Sequence, residues 1–174
     1  MKQIKRKIVI LKGCLAAGKS TTFRNLKTHK KMKDWVFVDF PVIRKMFDNN
    51  EKTQVELADK VFFTILKELI KTGKNIVTQE TSEQILRNKI GYYINKNKYV
   101  IKVIVLTISQ ETSYKRATKR SRKKGKKPRN KEEVYKNYQD RMKKLQKEKL
   151  FINTERFKEK LVVNKVLNLI EKNN

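Results

Sequence analysis

The eight residues Gly13-Cys14-Leu15-Ala16-Ala17-Gly18-Lys19-Ser20 narrow the fold more than any other part of the chain. They match the pattern G-x-x-x-x-G-K-[ST]. The apolar run Ile8 to Leu11, bounded by charge and glycine, precedes them and reads as a buried strand. A helix extending to about Thr28 is predicted to follow. Glycine at both ends lets the backbone curl so that several N–H groups point at one anion. A helix opening near Lys19 aims its positive dipole end at the same place. Strand, loop and helix in that order therefore predict a nucleotide-phosphate cradle. Residues 13 to 21 are its binding set, with Lys19 on the β- and γ-phosphates, Ser20 on a magnesium ion and Thr21 beside the α-phosphate.

The rest of the chain alternates short strands with helices. Further strands are predicted at Trp35–Val38, Ile76–Thr78, Tyr99–Ile108 and Phe151–Ile152. Pro41 suits the first turn of a short helix reaching about Phe47. Thr53 and Glu56 form a capping-box pattern opening a long helix that Gly73 closes. Thr81 and Gln84 repeat that pattern before a helix carrying Ile85, Leu86 and Ile90, and Ser109 is placed to cap the helix after the fourth strand. A last helix from about Glu155 sets Phe157, Leu161, Val166, Leu169 and Ile170 along its face. This alternation predicts an α/β fold, a doubly wound sheet of about five mostly parallel strands flanked by helices. With 174 residues the expectation is one domain spanning the chain.

Acidic residues are scarce enough to weigh singly. Asp39 ends the second strand, at the edge of an open parallel sheet that faces the ligand crevice. It is read as the base or orienting group for a phosphoryl acceptor, with a helix N-cap as the alternative. Arg44 is placed to pair with Asp39, to bind an acceptor phosphate, or to remain solvated. Glu80 ends the third strand and is the candidate second metal residue beside Ser20. Cys14 is the only cysteine, so no internal disulfide forms, and it reads as an incidental loop residue. His29 reads as a surface residue.

Residues 115 to 131 read KRATKRSRKKGKKPRNK, with eleven basic residues and no acidic one. Arg116 and Arg120 are four apart, on one helical face, where they can fork onto phosphate oxygens during transfer. Gly125 and Pro128 break that helix into a flexible basic lid. In the next helix, about Lys131 to Lys149, Val134, Tyr138, Met142 and Leu145 read as packing residues and Tyr135 as a candidate for stacking on a base. Lys plus Arg outnumber Asp plus Glu by 45 to 17, a net charge of +28. An A/T-rich coding sequence would favour Lys, Asn and Ile, but Glu has A-rich codons too and is far outnumbered. The excess is therefore read as functional, attracting polyanions. The basic N-terminus leads straight into the loop and is not a signal peptide, and no stretch is long enough to span a bilayer. These features fit a reducing cytoplasm.

The phosphate loop at Gly13–Thr21, Asp39 with Arg44, the LTIS of Leu106–Ser109, the Arg116/Arg120 pair and the closing INTERFKEKLVVNKVLNLI together resemble small P-loop kinases. That group includes polynucleotide 5′-kinases, zeta-toxin-like kinases, and shikimate and gluconate kinases. The resemblance spans nearly the whole chain. It implies ATP and Mg²⁺ as cofactors and transfer of the γ-phosphoryl group to a hydroxyl. In polynucleotide kinases an Asp after the second strand activates the 5′-hydroxyl and a following Arg positions it. Asp39 and Arg44 match in order, at wider spacing. Relatives often carry Asp or Glu two residues before a Thr, where this chain has Gln79 before Thr81. No phosphatase or ligase partner domain is expected beside it in these 174 residues. The expected acceptor is the 5′-hydroxyl of RNA or DNA. The alternatives are a nucleotide or other small metabolite, or a nucleic-acid-binding NTPase that transfers nothing. Oligomeric state is not read from the sequence.

Overall fold

The computed structural model describes residues 6–47 and 51–172. Five runs rich in β-branched and large apolar residues become strands: β1 (Lys7–Gly13), β2 (Trp35–Val38), β3 (Asn75–Gln79), β4 (Val100–Thr107) and β5 (Leu150–Asn153). They form one sheet in the order β2-β3-β1-β4-β5, with the pairs β2·β3, β1·β3 and β4·β5 parallel. Among the described residues seven α-helices connect and flank them: α1 (Lys19–Lys27), α2 (Phe40–Arg44), α3 (Lys52–Lys71), α4 (Glu83–Lys96), α5 (Gln110–Arg122), α6 (Lys131–Leu145) and α7 (Glu159–Glu171). This is the expected α/β architecture, and every strand is parallel. Strands buried on both faces need continuous apolar runs, and Ile8 to Leu11 are all 0 % exposed.

The chain resolves into two compact units, Met1–Leu11 with Leu26–Val103, and Lys12–Asn25 with Ile104–Asn174. In the first, α3 buries Ala58, Phe62, Leu66 and Ile70, the helical spacing visible in the sequence. Phe62 stacks on Phe40 of α2 at 4.4 Å between ring centroids. Full burial of such a side chain contributes about 1.5–3 kcal/mol. Helix α3 ends in a Schellman closure: Gly73 N–H donates to Ile70 O, Lys74 N–H donates to Leu69 O, and Gly73 takes φ +73°. In the second unit, α7 buries Val162, Val163, Val166, Leu167 and Ile170.

Several helix boundaries differ from the expectation. Thr53 does not cap α3; the N-cap is Glu51, which makes no side-chain cap bond, and the Thr53 hydroxyl donates instead to the Glu51 carboxylate at 2.8 Å. The cap of α4 is Ser82, one residue beyond Thr81, and it accepts from Ile85 N–H at 3.2 Å. Thr81, 5 % exposed, lies one residue before that cap. Helix α2 stops at Arg44, short of Phe47. Helix α7 begins at Glu159, so Phe157 precedes it, and Leu161 is 46 % exposed because the buried face falls on the neighbouring stripe. Ser109 caps α5 as expected, accepting from Thr112 N–H. His29 is half-buried and caps a single 3₁₀ turn at Lys30–Met32.

Candidate active site

In the second unit the phosphate loop runs from Gly13 to the start of α1. Gly13 has φ +152°, and a Cβ built there would meet the Leu106 carbonyl oxygen at 2.2 Å. Only glycine lets β1 leave the sheet so close to β4. Gly18 takes φ +86° and Ala16 φ +57°, so the loop reverses its backbone twice. Holding a non-glycine residue in that region costs on the order of 1 kcal/mol, and the strain persists because the surroundings enforce it.

Two distant hydroxyls hold the loop. Ser113 of α5, 0 % exposed, donates to Leu15 O at 2.8 Å. Thr154, just past β5, donates to Ala17 O at 3.1 Å. Lys12 is ion-paired with Glu148 at 2.6 Å, pinning the end of β1 to the segment before β5. With carbonyls 15 and 17 engaged, the N–H groups of Leu15, Ala16 and Gly18 have no acceptor among the described residues. Lys19 folds its ammonium back onto Gly13 O (3.1 Å) and Cys14 O (2.9 Å), capping the mouth of the loop. Unanswered donors, a lysine at the mouth and a helix N-terminus together fit the triphosphate of a nucleotide. Ser20 is exposed at the first turn of α1. Cys14 is fully buried, its thiol 3.1 Å from the Met142 sulfur, and burial pushes the thiol up, keeping it protonated and inert.

Arg116 and Arg120, both exposed, open onto the loop from α5. Arg116 lines a cleft of about 380 Å³ with Gly18, Thr21, Thr154 and Phe157. Arg120 lines one of about 210 Å³ with Leu15, Lys126 and Arg129. Ala16 is common to both clefts, so the two guanidinium groups flank one loop. Helix α5 breaks at Lys123–Gly125, with Gly125 at φ +65°, and residues 126–130 form a loop to α6. In α6, Val134 and Leu145 are buried and the Tyr138 hydroxyl donates to Ile108 O, as packing residues should. The Tyr135 hydroxyl donates to Glu111 and its ring meets Tyr114 edge-on at 6.3 Å, so it is engaged within the lid.

Glu155 ties the start of α5 to the β5 exit. It accepts from the Thr112 hydroxyl and from the Ser109 N–H at 2.9 Å, and these bonds, the Thr112 bond foremost, hold its carboxyl below the usual range. A carboxyl whose folded value lies below its unfolded one adds stability above the unfolded value and loses it as pH falls. Thermal unfolding from about pH 5 down to pH 3 is therefore expected to show a steeper loss in the wild type than in Glu155→Gln.

In the first unit, β2 and β3 run parallel with Val38 opposite Thr78, so Asp39 and Gln79 stand together at C-terminal strand ends. Asp39 is the N-cap of α2, with Oδ1 accepting from Val42 N–H at 3.4 Å, so the capping alternative is realised in the fold. Oδ1 also accepts from the Gln79 amide at 2.9 Å, while Oδ2 has no partner among the described residues. Arg44 does not pair with Asp39. Its guanidinium lies 3.6 Å from Asp59 Oδ1 and 4.9 Å above the Phe40 ring, because a residue one helical turn on faces α3. Glu80 adopts φ +62°, its N–H donating to Leu11 O at 3.4 Å, so it continues the β1·β3 ladder. Among the described residues no group of three or more His, Cys, Asp or Glu could hold a metal ion. Ser113, Thr154 and Gln79 are contributors that sequence reasoning did not assign. Nothing in their local sequence marks them for these roles.

A parallel sheet with a G-x-x-x-x-G-K-S loop at the exit of β1 and a pair of lid arginines defines a P-loop kinase fold. The chain belongs to the AAA domain family, whose model matches residues 8–145. No curated protein matches it in sequence. Among solved structures it is similar to a Chloroflexus aurantiacus j-10-fl protein thought to be a kinase, with TM-score 0.68, 14% identity and 98% of both chains covered. It is similar to a chain of the Pnkp1/Rnl/Hen1 RNA repair complex, with TM-score 0.63 and 24% identity, covering 82% of this chain but 47% of that one. It is also similar to shikimate kinase from Aquifex aeolicus vf5, with TM-score 0.59, 16% identity and coverage of 94% and 96%. At these identities the likeness establishes the fold. No helix among the described residues is long and apolar enough to cross a membrane.

Proposed function

We propose that this protein is an ATP-dependent kinase that phosphorylates a hydroxyl group, and that the acceptor is the 5′-hydroxyl of RNA or DNA. The observation that carries the reading is the phosphate loop with unanswered N–H donors, flanked on one helix by Arg116 and Arg120. Bound Mg·ATP would supply the γ-phosphoryl group and the cation that offsets its charge. Residues 13 to 21 hold the nucleotide. Lys19 leaves its two carbonyl partners for the β- and γ-phosphates, and Ser20 and Glu80 serve the metal side. Thr21, Arg116 and Phe157 shape the cleft available to the nucleoside. Arg116 and Arg120 offset charge that builds on the transferring oxygens. Asp39, with Oδ2 uncommitted, accepts the proton of the attacking hydroxyl, and Arg44 orients the acceptor.

The +28 charge and the eleven basic residues of the 115–131 segment favour a polyanionic acceptor, and one structural relative belongs to an RNA repair complex. A panel of hydroxyl acceptors with γ-labelled ATP tests this. A 5′-hydroxyl oligonucleotide should be labelled, and its binding should weaken with salt by a log–log slope of about 0.7 per phosphate contacted. Turnover confined to a nucleotide or sugar would make the protein a small-metabolite kinase. ATP hydrolysis without any labelled acceptor would make it a nucleic-acid-stimulated NTPase.

A further inference from the structure

We propose that Gln79 is a positioning residue whose amide aims the Asp39 carboxylate at the acceptor hydroxyl; the inference deepens the phosphotransfer reading and rests on it. Gln79 ends β3 and is 2 % exposed. Its two amide ends fare differently. Nε2 donates to Asp39 Oδ1 at 2.9 Å, while Oε1 is buried with no hydrogen-bond partner among the described residues. A buried carbonyl oxygen left without a donor destabilises the fold.

A side chain present only to fill space would not carry that cost, because methionine has similar length and no amide oxygen. A glutamine that leaves one end unsatisfied must be valuable for its other end, and that end makes a single bond, to Asp39. The bond has a definite geometric result. Together with Val42 N–H it occupies Oδ1 and fixes the plane of the carboxylate. Oδ2 is then the oxygen presented to a hydroxyl proton, and a fixed lone pair is what efficient proton acceptance needs.

The residue type also fits. A glutamate at position 79 would set a second carboxyl within hydrogen-bond distance of Asp39, and such a pair shares a proton. The amide orients the base without competing for the proton that the base must take.

The test compares Gln79→Met, Gln79→Glu and Asp39→Asn by steady-state phosphorylation of the acceptor found active, alongside thermal unfolding. Gln79→Met should melt at or above the wild-type temperature, because the orphaned oxygen is gone. Its kcat should nevertheless fall about 10- to 100-fold, with KM for ATP and acceptor within twofold. Gln79→Glu should show a similar loss at neutral pH and an acid limb of the pH–rate profile displaced to higher pH, where the shared proton leaves. Undiminished kcat in Gln79→Met overturns the proposal. So does a Met variant that melts lower or fails to fold, since Gln79 would then be structural. Asp39→Asn separates the two levels of inference. Full activity there removes the role of Asp39 itself, whereas inactive Asp39→Asn beside a fully active Gln79→Met removes only the aiming by Gln79.

Discussion

Replacing Asp39 with Asn is expected to lower phosphoryl transfer about 10²- to 10⁴-fold, the usual contribution of a positioned general base, while ATP affinity stays within a few-fold of wild type. The substitution is well matched to the question. Asparagine is as good an N-cap as aspartate, so α2 should still start at Phe40 with its cap on Val42. An amide oxygen can also still accept from Gln79. What disappears is a carboxylate able to take a proton at the position of Oδ2. Initial rates with γ-labelled ATP, paired with calorimetric nucleotide binding, separate the two effects. Unchanged transfer would reduce Asp39 to a helix cap and leave the chemistry to another group. Loss of ATP binding together with transfer would mean that the fold, and not the base, had been damaged.

The second large effect is expected at Gly13. Gly13→Ala would put a methyl group 2.2 Å from the Leu106 carbonyl oxygen, on a backbone with φ +152°. That oxygen is main chain inside a sheet, so it cannot swing aside as a side-chain tip would. Overpacking of this sort costs about 1–3 kcal/mol, and the backbone conformation adds roughly as much again. For a chain of this size a loss of about 3 kcal/mol lowers the melting temperature by roughly 6–12 °C. Nucleotide binding should be lost with it, because displacement of Gly13 moves the carbonyl against which Lys19 rests. A melting curve with and without ATP reads both. A wild-type melting temperature and intact ATP stabilisation in Gly13→Ala would show that β1 and β4 can part without cost. Gly18 makes a useful contrast, since nothing lies within 4 Å of a Cβ there and only its positive φ opposes substitution.

Local signals in the sequence served well where the physics is local. The apolar runs became the five strands within a residue or two at most ends, Gly73 ended α3, and Ser109 opened α5. Capping boxes were less reliable. The pattern T-x-x-E recurs wherever polar residues are dense, and the observed N-caps are Glu51 and Ser82. On α7 the expected Val166 and Ile170 are buried, while Leu161 is exposed and Val162, Val163 and Leu167 complete the buried face, because a stripe of Val and Leu reads equally well on either side until the sheet chooses. The partner of Arg44 was out of reach for a similar reason, since Asp59 lies on a different helix.

The phosphate loop was decided by the sequence alone. Its glycines, lysine and serine act through backbone dihedrals and a helix terminus, and those are fixed by residues within one turn of each other. What holds the loop open was decided only in three dimensions. Ser113 reaches Leu15 across 98 residues and Thr154 reaches Ala17 across 137. Gln79 meets Asp39 across 40, in a register set by strand pairing. A serine, a threonine and a glutamine carry no local signature of such roles, because a hydrogen bond between distant segments exists only once the sheet has brought their ends together.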